Sequence, residues 1–232
     1  MALTPNGSSH HWFFDRALPL LLLGSALFLV WMSAKNRSTN PTAEFVLPAT
    51  PQSAAGTSAL GNTTAPVGII MFTDFQCDYC RQFSHDTLPL LKQRYLATGR
   101  ALLVFRHRPL SFHRFARDAA LAAECAAGQG KFWEAYDQLF VAGRALDRPG
   151  LTAAVSPTGI DLPVWQSCMD GGQSTRLAGD MALARTLRIP ATPFFLIGPI
   201  EDGEVRVSSY IDGARPIEDF AKAIDVHVTG LR

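Results

Sequence analysis

The sequence predicts an α/β domain in which a mixed central sheet is flanked by helices and carries an inserted all-helical subdomain. Two short apolar runs, VGIIMFTDF and ALLVF, are separated by a helical pattern, which indicates a strand–helix–strand unit. A helical pattern then continues from about residue 111 to residue 187, which is too long for a simple crossover. Two further strand-like runs and a closing helix follow, so the sheet should combine parallel and antiparallel strands.

The composition excludes several classes of protein. The chain has 232 residues, enough for one domain with a sizeable core and a terminal appendage. It carries 21 basic and 20 acidic side chains without a basic stripe, so no nucleic-acid partner is expected. Its four cysteines are too few for a disulfide scaffold in a chain of this length.

An uncharged apolar run near the start of the chain predicts a membrane anchor within residues 1–34. The run ALPLLLLGSALFLVWMSA, residues 17–34, would extend about 27 Å as a helix, the lower limit for crossing a bilayer. Arg16 and Lys35 flank it. A cleaved signal peptide is the alternative, and both would export the remaining chain. Lys35 and Arg37 follow the run, and this charge distribution weakly favours the opposite orientation.

A flexible linker is predicted for residues 35–65, because this segment is rich in Thr, Pro, Ser, Asn, Gly and Ala and cannot bury a core. The folded domain is therefore expected at 66–232, beginning near Pro66. Its first helix should start after Cys77 and end at Gly99.

Within the helical block, apolar residues recur at helical spacing from Phe132 to Phe140, and the aromatic stripe around Trp133 and Tyr136 is expected to be core. Two strands, FFLI at 194–197 and VRVSSYI at 205–211, should form a hairpin. The turn signal between them is Asp202-Gly203. The closing helix has an apolar face formed by Ile217, Phe220, Ala221, Ile224 and Val228.

Cys77 and Cys80, in the run FTDFQCDYC, are the strongest candidates for chemistry. A C-x-x-C at the start of a helix places both sulfurs on one face, where free N–H groups and the helix dipole favour a thiolate. Cys77 is nearer the helix start and should be the attacking nucleophile, with Cys80 as the resolving thiol. A zinc site would need a second ligand pair, which Cys125 and Cys168 do not supply, so no metal and no cofactor are expected. A purely structural disulfide is the other alternative.

The motifs together resemble the DsbA-like branch of the thioredoxin superfamily, bacterial periplasmic and membrane-anchored oxidoreductases. The resemblance covers about residues 61–226, essentially the whole predicted domain. It is carried by four segments: GNTTAPVGIIMFTDFQCDYC, FRHRPLSFHRFARDAALAAECAAGQGKFWEAYDQLF, CMDGG and IPATPFFLIG. It implies a thioredoxin fold with the helical insertion.

The resemblance also implies roles for single residues. The Thr192–Pro193 bond should be cis and its loop should pack against Cys77, where a substrate strand can pair with Thr192; a plain strand start at Pro193 is the alternative. Cys125 and Cys168 should form a structural disulfide, as in some relatives, unless both are buried free thiols.

The chain departs from the best-known members between the two cysteines, where Pro and His are replaced by Asp78 and Tyr79. An acidic Asp78 should oppose the Cys77 thiolate and give a less extreme oxidant. Asp74 is a candidate proton acceptor for Cys80, with a solvated, helix-capping aspartate as the equal alternative. His107 and His113 are expected to be caps or surface residues.

The expected function is that of an exported, membrane-anchored thiol–disulfide oxidoreductase, acting as a dithiol oxidase on cysteine-containing substrate proteins. A membrane redox partner would reoxidise it. The expected location is the bacterial inner membrane, with a single N-terminal pass and the catalytic domain in the periplasm. A reductase or isomerase of the same fold and a non-catalytic thioredoxin-fold chaperone are the alternatives.

Overall fold

The computed structural model describes Trp31, residues 45–56 and residues 58–228. The chain divides into two units, Met1–Glu44 and Phe45–Arg232. Apart from Trp31, the anchor predicted at residues 17–34 lies outside the described residues. Within the part of the chain that is described, no helix is both long enough and apolar enough to cross a bilayer.

A mixed sheet forms the centre of the second unit and confirms the predicted fold class. In the described residues its strands are β1 Gln52–Ser53, β2 Ala59–Gly61, β3 Val67–Thr73, β4 Ala101–His107, β5 Phe194–Glu201, β6 Glu204–Val205 and β7 Ser209–Asp212. They lie in the order β1-β6-β5-β3-β4-β2, and β7 also pairs with β5. The central strand, β3, is parallel to β4 and antiparallel to β5. Both faces of β3 are buried, as expected for a continuous apolar run.

The linker predicted at 35–65 is wrong for its described part, because residues from Phe45 onward are packed on the domain. The Phe45 ring lies 4.7 Å from that of Phe194 and 5.3 Å from that of Tyr210. β1 pairs with β6, and β2 pairs with β4. These strands are two and three residues long, too short to give an apolar pattern of their own, and pairing with β6 and β4 holds them on the sheet. Residues 35–44 lie outside the described residues.

The single strand predicted at 205–211 is also wrong, because β6 and β7 are separate strands on the same partner. The chain bulges between them, where Arg206 N–H donates to Pro199 O at 2.9 Å and Ser208 N–H donates to Ile197 O at 2.9 Å. A Cβ at Gly198 would collide with the Arg206 carbonyl oxygen, so glycine is needed opposite the bulge. The predicted turn at Asp202-Gly203 is present, with φ of 52° and 76°.

Helices cover both faces of the sheet. In chain order they are α1 Asp78–Gln82, α2 Leu88–Leu91, α3 Ala116–Ala127, α4 Phe132–Ala142, α5 Arg148–Val155, α6 Leu162–Gly171, α7 Thr175–Thr186 and α8 Ile217–Val228. π-helical turns follow α1 and α2, at Phe83–Thr87 and Lys92–Leu96, so the chain is helical from residue 78 to residue 96. Helices α3 to α7 form the insertion between β4 and β5.

The aromatic stripe of the insertion packs on the sheet. Phe132 and Tyr136 of α4 are buried, and their rings lie 4.9 and 5.8 Å from that of Phe105 on β4. Trp133 is partly buried beside them. A disulfide joins Cys125 of α3 to Cys168 of α6. The aromatic contacts thus hold the insertion on the sheet, and the disulfide joins two of its own helices.

Candidate active site

Cys77 and Cys80 lie where the central strand passes into the first helix. β3 ends at Thr73, a short loop follows, and Cys77 is the N-cap residue of α1 with extended backbone angles. Cys80 lies in the first turn, and both thiols are free. Cys77 is 7% exposed and Cys80 is 1% exposed, so a partner can reach Cys77 more easily.

The environment of the Cys77 sulfur favours its thiolate. A side-chain hydrogen bond with Cys80 is the main cause that lowers the pKa of Cys77 to about 6, against the burial that raises it. The Thr192 side chain and main-chain hydrogen bonds from Cys80 and Tyr79 lower this pKa further. Free N–H groups at a helix start are a known source of thiolate stabilisation. Cys77 is therefore largely ionised at neutral pH.

The Cys80 thiol behaves in the opposite way. Burial, followed by its interactions with Cys77, raises the pKa of Cys80 well above its usual value. Main-chain contact with Asp74 and the Thr192 side chain act in the other direction. One sulfur of the pair is thus prepared to attack, while the other holds its proton.

The loop before β5 lies against Cys77. The Thr192–Pro193 peptide bond is cis. When protonated, the Cys77 thiol donates to the Thr192 carbonyl oxygen at 3.3 Å. Thr192 is itself 5% exposed. The structure therefore brings together the two sequence segments, 77–80 and 192–193, that were predicted to share one site.

Asp78 does not stand as an isolated negative charge beside Cys77. Its carboxylate lies 2.6 Å from the Arg81 guanidinium and 3.5 Å from that of Arg144. Arg81 is three residues further along the same helix, a spacing that allows such a pair and could have been recognised in the sequence. Arg144 follows α4 and is distant in sequence, so only the fold brings it here. Tyr79 is 66% exposed beside the site.

Asp74 is buried and fastens the active-site loop. One carboxylate oxygen accepts from Gln76 N–H at 2.7 Å. The other accepts from Leu110 N–H at 2.8 Å and lies 2.7 Å from His113 Nδ1. Asp74 is 2% exposed and Cys77 has no side-chain cap, so the solvated, helix-capping interpretation is wrong. The carboxylate oxygens bond to these loop residues, and the role of proton acceptor for Cys80 stays a prediction.

His107 and His113 are not surface or capping residues. His107 is fully buried, with Nε2 2.8 Å from Glu124 Oε1, while its main-chain N–H donates to the Asp180 carboxylate at 3.0 Å. These contacts fasten β4 to α3 and α7. His113 lies in the loop before α3, whose N-cap is Phe115. The contact of His113 with Asp74 could not be expected from the sequence, because no local spacing signals it.

A metal centre has no ligand set in the part of the chain that the structure describes. No group of three His, Cys, Asp or Glu side chains there is arranged to hold an ion. Cys125 and Cys168, which might have completed a zinc site with the C-x-x-C pair, are bonded to each other in the insertion. The site consists of two thiols and their protein partners.

The part of the chain that contains this site matches a known protein family. A family model described as thioredoxin matches residues 53–225. The chain belongs to this thioredoxin family. The match includes both cysteines, the cis-proline loop and the helical insertion, and it begins within the segment predicted as a linker.

The curated relatives of this thioredoxin-family chain carry two different kinds of name. It is 32% identical over 139 residues to Na(+)/H(+) antiporter NhaA 3 of Salinispora tropica, covering 59% of this chain and 21% of that protein. It is 35% identical over 89 residues to "probable disulfide bond formation protein D" of Bacillus anthracis, covering 35% of this chain and 38% of that protein. The chain thus spans about a fifth of the length of the antiporter relatives.

Solved structures confirm the DsbA-like resemblance at the level of the fold. Oxidised BdbD from Bacillus subtilis superposes with a TM-score of 0.67 at 21% identity, over 79% of this chain and 100% of that chain. An αDsbA1 variant of Wolbachia pipientis gives 0.63 at 21% identity, over 82% and 97% of the two chains.

Proposed function

We propose that this chain is an extracytoplasmic thiol–disulfide oxidoreductase that acts as a dithiol oxidase through Cys77 and Cys80. The observation that carries the proposal is the unequal pair of thiols, with the Cys77 pKa lowered to about 6 and Cys80 buried. Relatives named as probable disulfide bond formation proteins support it. The antiporter names describe proteins of which this chain matches about a fifth, so ion transport is not part of the proposal.

In the proposed reaction, a substrate thiolate attacks the Cys77 sulfur of the Cys77–Cys80 disulfide. The Cys77–Cys80 bond breaks, Cys80 leaves as a thiolate and takes up a proton, and a mixed disulfide joins substrate to Cys77. A second thiolate of the substrate then attacks the substrate sulfur of this mixed disulfide. The substrate disulfide forms and Cys77 leaves as a thiolate, so two electrons have moved to the enzyme.

The stabilised Cys77 thiolate supports the oxidase direction. A thiol of low pKa is a good leaving group, and stabilising the reduced form makes the disulfide a stronger oxidant. Asp78 was expected to oppose this effect, but Arg81 and Arg144 offset its charge. The Thr192 main chain beside Cys77 offers pairing to an extended substrate segment, as in strand addition. Cysteine-containing proteins in an extended state are the proposed substrates.

The proposal includes the cellular setting. Residues 17–34 would anchor the chain in the bacterial inner membrane, with the described domain on the periplasmic side, and a membrane protein would accept the electrons from reduced Cys77 and Cys80. The Cys125–Cys168 disulfide supports an oxidising compartment.

Trapping of mixed disulfides tests the proposal. Cys80→Ala removes the resolving thiol, so covalent complexes with substrate proteins should accumulate through Cys77 in cells and disappear on reduction. Cys77→Ala is the matched control and should trap nothing. An absence of complexes with Cys80→Ala would contradict the proposed first step, and a reduction potential as low as that of thioredoxin, about −270 mV, would contradict the oxidase direction.

A further inference from the structure

We propose that arginines beside the active site form a specificity surface that favours substrate cysteines with acidic neighbours in sequence. The inference rests on the proposed function and adds to it a class of substrate segment. This arginine surface consists of Arg108, Arg114, Arg185 and Arg188. Arg108 is half-buried and the other three are exposed. Arg188 N–H donates to Arg185 O at 3.0 Å, so the last two are neighbours.

The segments that carry these arginines contain no acidic residue. The first two arginines lie in residues 101–117 and the last two in residues 181–200, and neither range includes an aspartate or a glutamate. Asp118 directly follows the first segment and is offset by its neighbour Arg117. Among the described residues, no carboxylate forms an ion pair with any of the four guanidinium groups. Their charge is therefore available to a partner.

The loop between β4 and α3 brings Arg114 close to Cys77. Phe115 N–H donates to Gln76 Oε1 at 2.7 Å, and Gln76 directly precedes Cys77. Arg114 is the residue before Phe115, and its guanidinium lies over the Phe115 ring, 5.1 Å from the ring centroid. This contact holds the charge of an exposed side chain near the loop that enters α1.

The second segment leads into the cis-proline loop. Arg188 lies four residues before Thr192, whose carbonyl oxygen is 3.3 Å from the Cys77 sulfur. Four residues span at most about 14 Å. The Arg108 guanidinium donates to Ile189 O at 3.4 Å, so it joins the two segments. The segments are thus in contact, and their arginines border the active site together.

The acidic side chains closest in sequence to the two halves of the site do not cancel this charge. Asp78 is paired with two guanidinium groups. Asp74 has a side chain that is inaccessible to solvent. Asp212, at the end of β7, is followed three residues later by Arg215, and both are exposed. A substrate that approaches Cys77 therefore meets an excess of positive charge.

An acidic polypeptide segment fits the arginine surface better than a lipid bilayer does. The substrate strand proposed to pair with Thr192 would run beside the segment that carries Arg188. An extended chain advances about 3.3 Å per residue, so a side chain about four residues from the reacting cysteine can reach these arginines. Aspartate or glutamate there would be attracted during approach and bonded on arrival. A bilayer on the same surface would cover Cys77, which must stay open for exchange.

Dithiol peptides of different charge test the inference with the oxidised full chain. The peptides share one sequence with two cysteines and carry acidic, neutral amide or basic residues beside them. In each reaction, the two peptide thiols become a disulfide and the Cys77–Cys80 disulfide becomes two thiols, as acid quenching and mass spectrometry can follow. Each rate is divided by the rate of the same peptide with bis(2-hydroxyethyl) disulfide, a neutral compound, because neighbouring charges also change the ionisation of a peptide thiol.

The wild-type protein should react about ten-fold faster with the acidic peptide than with the basic peptide at about 0.01 M salt, with the neutral peptide between them. At about 1 M salt, where charges are screened beyond about 3 Å, the corrected rates should converge. Arg114→Glu and Arg188→Glu should each reduce the preference. Arg94→Glu is the matched control and should keep it, because Arg94 is exposed but lies about 25 Å from Cys77 along the first helical segment.

Several results would overturn the inference. Equal corrected rates for the wild-type protein at low salt would do so without any variant, so the test survives a variant that does not fold. An equal loss of preference in Arg94→Glu would assign the effect to net charge alone. Binding to phosphatidylglycerol vesicles together with equal peptide rates would assign the arginines to a membrane surface. Failure of the wild-type protein to oxidise any of the peptides would instead contradict the proposed function.

Discussion

Cys77 and Cys80 are separated by two residues, yet their sulfurs have opposite environments. Cys77 lies at the start of α1, where a hydrogen bond with the Cys80 side chain, then the Thr192 side chain and main-chain hydrogen bonds, stabilise a negative charge. Cys80 lies one turn further, inside the apolar core, where burial opposes ionisation. The position in the helix, more than the residue type, therefore assigns the nucleophile and the resolving thiol.

The reactivity of the reduced protein should follow the ionisation of Cys77. The rate of alkylation by iodoacetamide is expected to rise with pH and to reach half of its maximum near pH 6, because the thiolate is the reactive form. Quenched-flow alkylation with mass spectrometry measures this rate. Cys77→Ser should remove the fast phase, whereas a midpoint near pH 9, the ordinary thiol value, would contradict the described environment.

The same shift makes the stability of the reduced form depend on pH. The pKa of Cys77 is lower in the folded protein than in the unfolded chain, so the stabilisation is complete above about pH 9, the unfolded value, and is lost as pH falls through 6. The oxidised protein has no free thiol at Cys77, so its stability lacks this dependence on pH. Between pH 6 and 9, the free energy of unfolding of the reduced form should therefore rise relative to that of the oxidised form. Urea titrations of both forms measure this difference.

Short motifs predict only part of the site. Cys77 and Cys80 could be selected from their spacing at a helix start, and Thr192 and Pro193 from the resemblance to the DsbA-like branch. The contact between Asp74 and His113 could not, because it joins two loops that are 39 residues apart. Two guanidinium groups near the Asp78 carboxylate, from Arg81 on the same helix and from Arg144 after α4, likewise changed the expected effect of Asp78.

At the scale of elements, long periodic segments are the most predictable. The buried face of the first helical segment includes Phe83, Leu91 and Tyr95 as expected, even though π-helical turns interrupt the α-helix. The strand predicted at 205–211 fails because the bulge after β6 depends on the fit of Gly198 against a neighbouring carbonyl. Such a close approach leaves no periodic signal.

The Cys125–Cys168 disulfide should be a main source of stability for the insertion. Replacing both cysteines by alanine is expected to lower the free energy of unfolding by about 4 kcal/mol in the chain-entropy model, since the bond closes a separation of 43 residues. Urea titration measures this change. The comparison is made in a Cys77→Ser/Cys80→Ser background, so that only the structural bond differs, and an unchanged midpoint would contradict it.

At the scale of the molecule, the domain begins earlier in the chain than composition indicates. Residues 45–61 are uncharged and rich in Ala, Ser, Thr, Pro and Gly, which is typical of a linker, yet they extend the sheet at both ends. Arg106 of β4 shows how they are held, since its guanidinium donates to Ser53 O at 3.1 Å and to Ala55 O at 3.2 Å. Tertiary contacts therefore stabilise strands in this segment that the local sequence does not favour.

A shortened chain tests this contribution. A protein that begins at residue 58 loses β1, the Phe45 contacts and both acceptors of Arg106. We expect it to be less stable by about 3 kcal/mol than one that begins at residue 45, from lost apolar burial and two hydrogen bonds. Urea unfolding measures the difference, and the iodoacetamide profile of Cys77 should be unchanged. Equal stability would mean that this segment acts as a linker after all.

The slight exposure of Cys77 and the near-complete burial of Cys80 also limit the kinetics of turnover. Every partner must react at the same sulfur, because the other is screened by the protein. The protein that delivers electrons and the protein that removes them therefore cannot bind productively at once. Turnover should alternate between them in a ping-pong sequence, and a large excess of either partner should compete with the other for the single accessible atom.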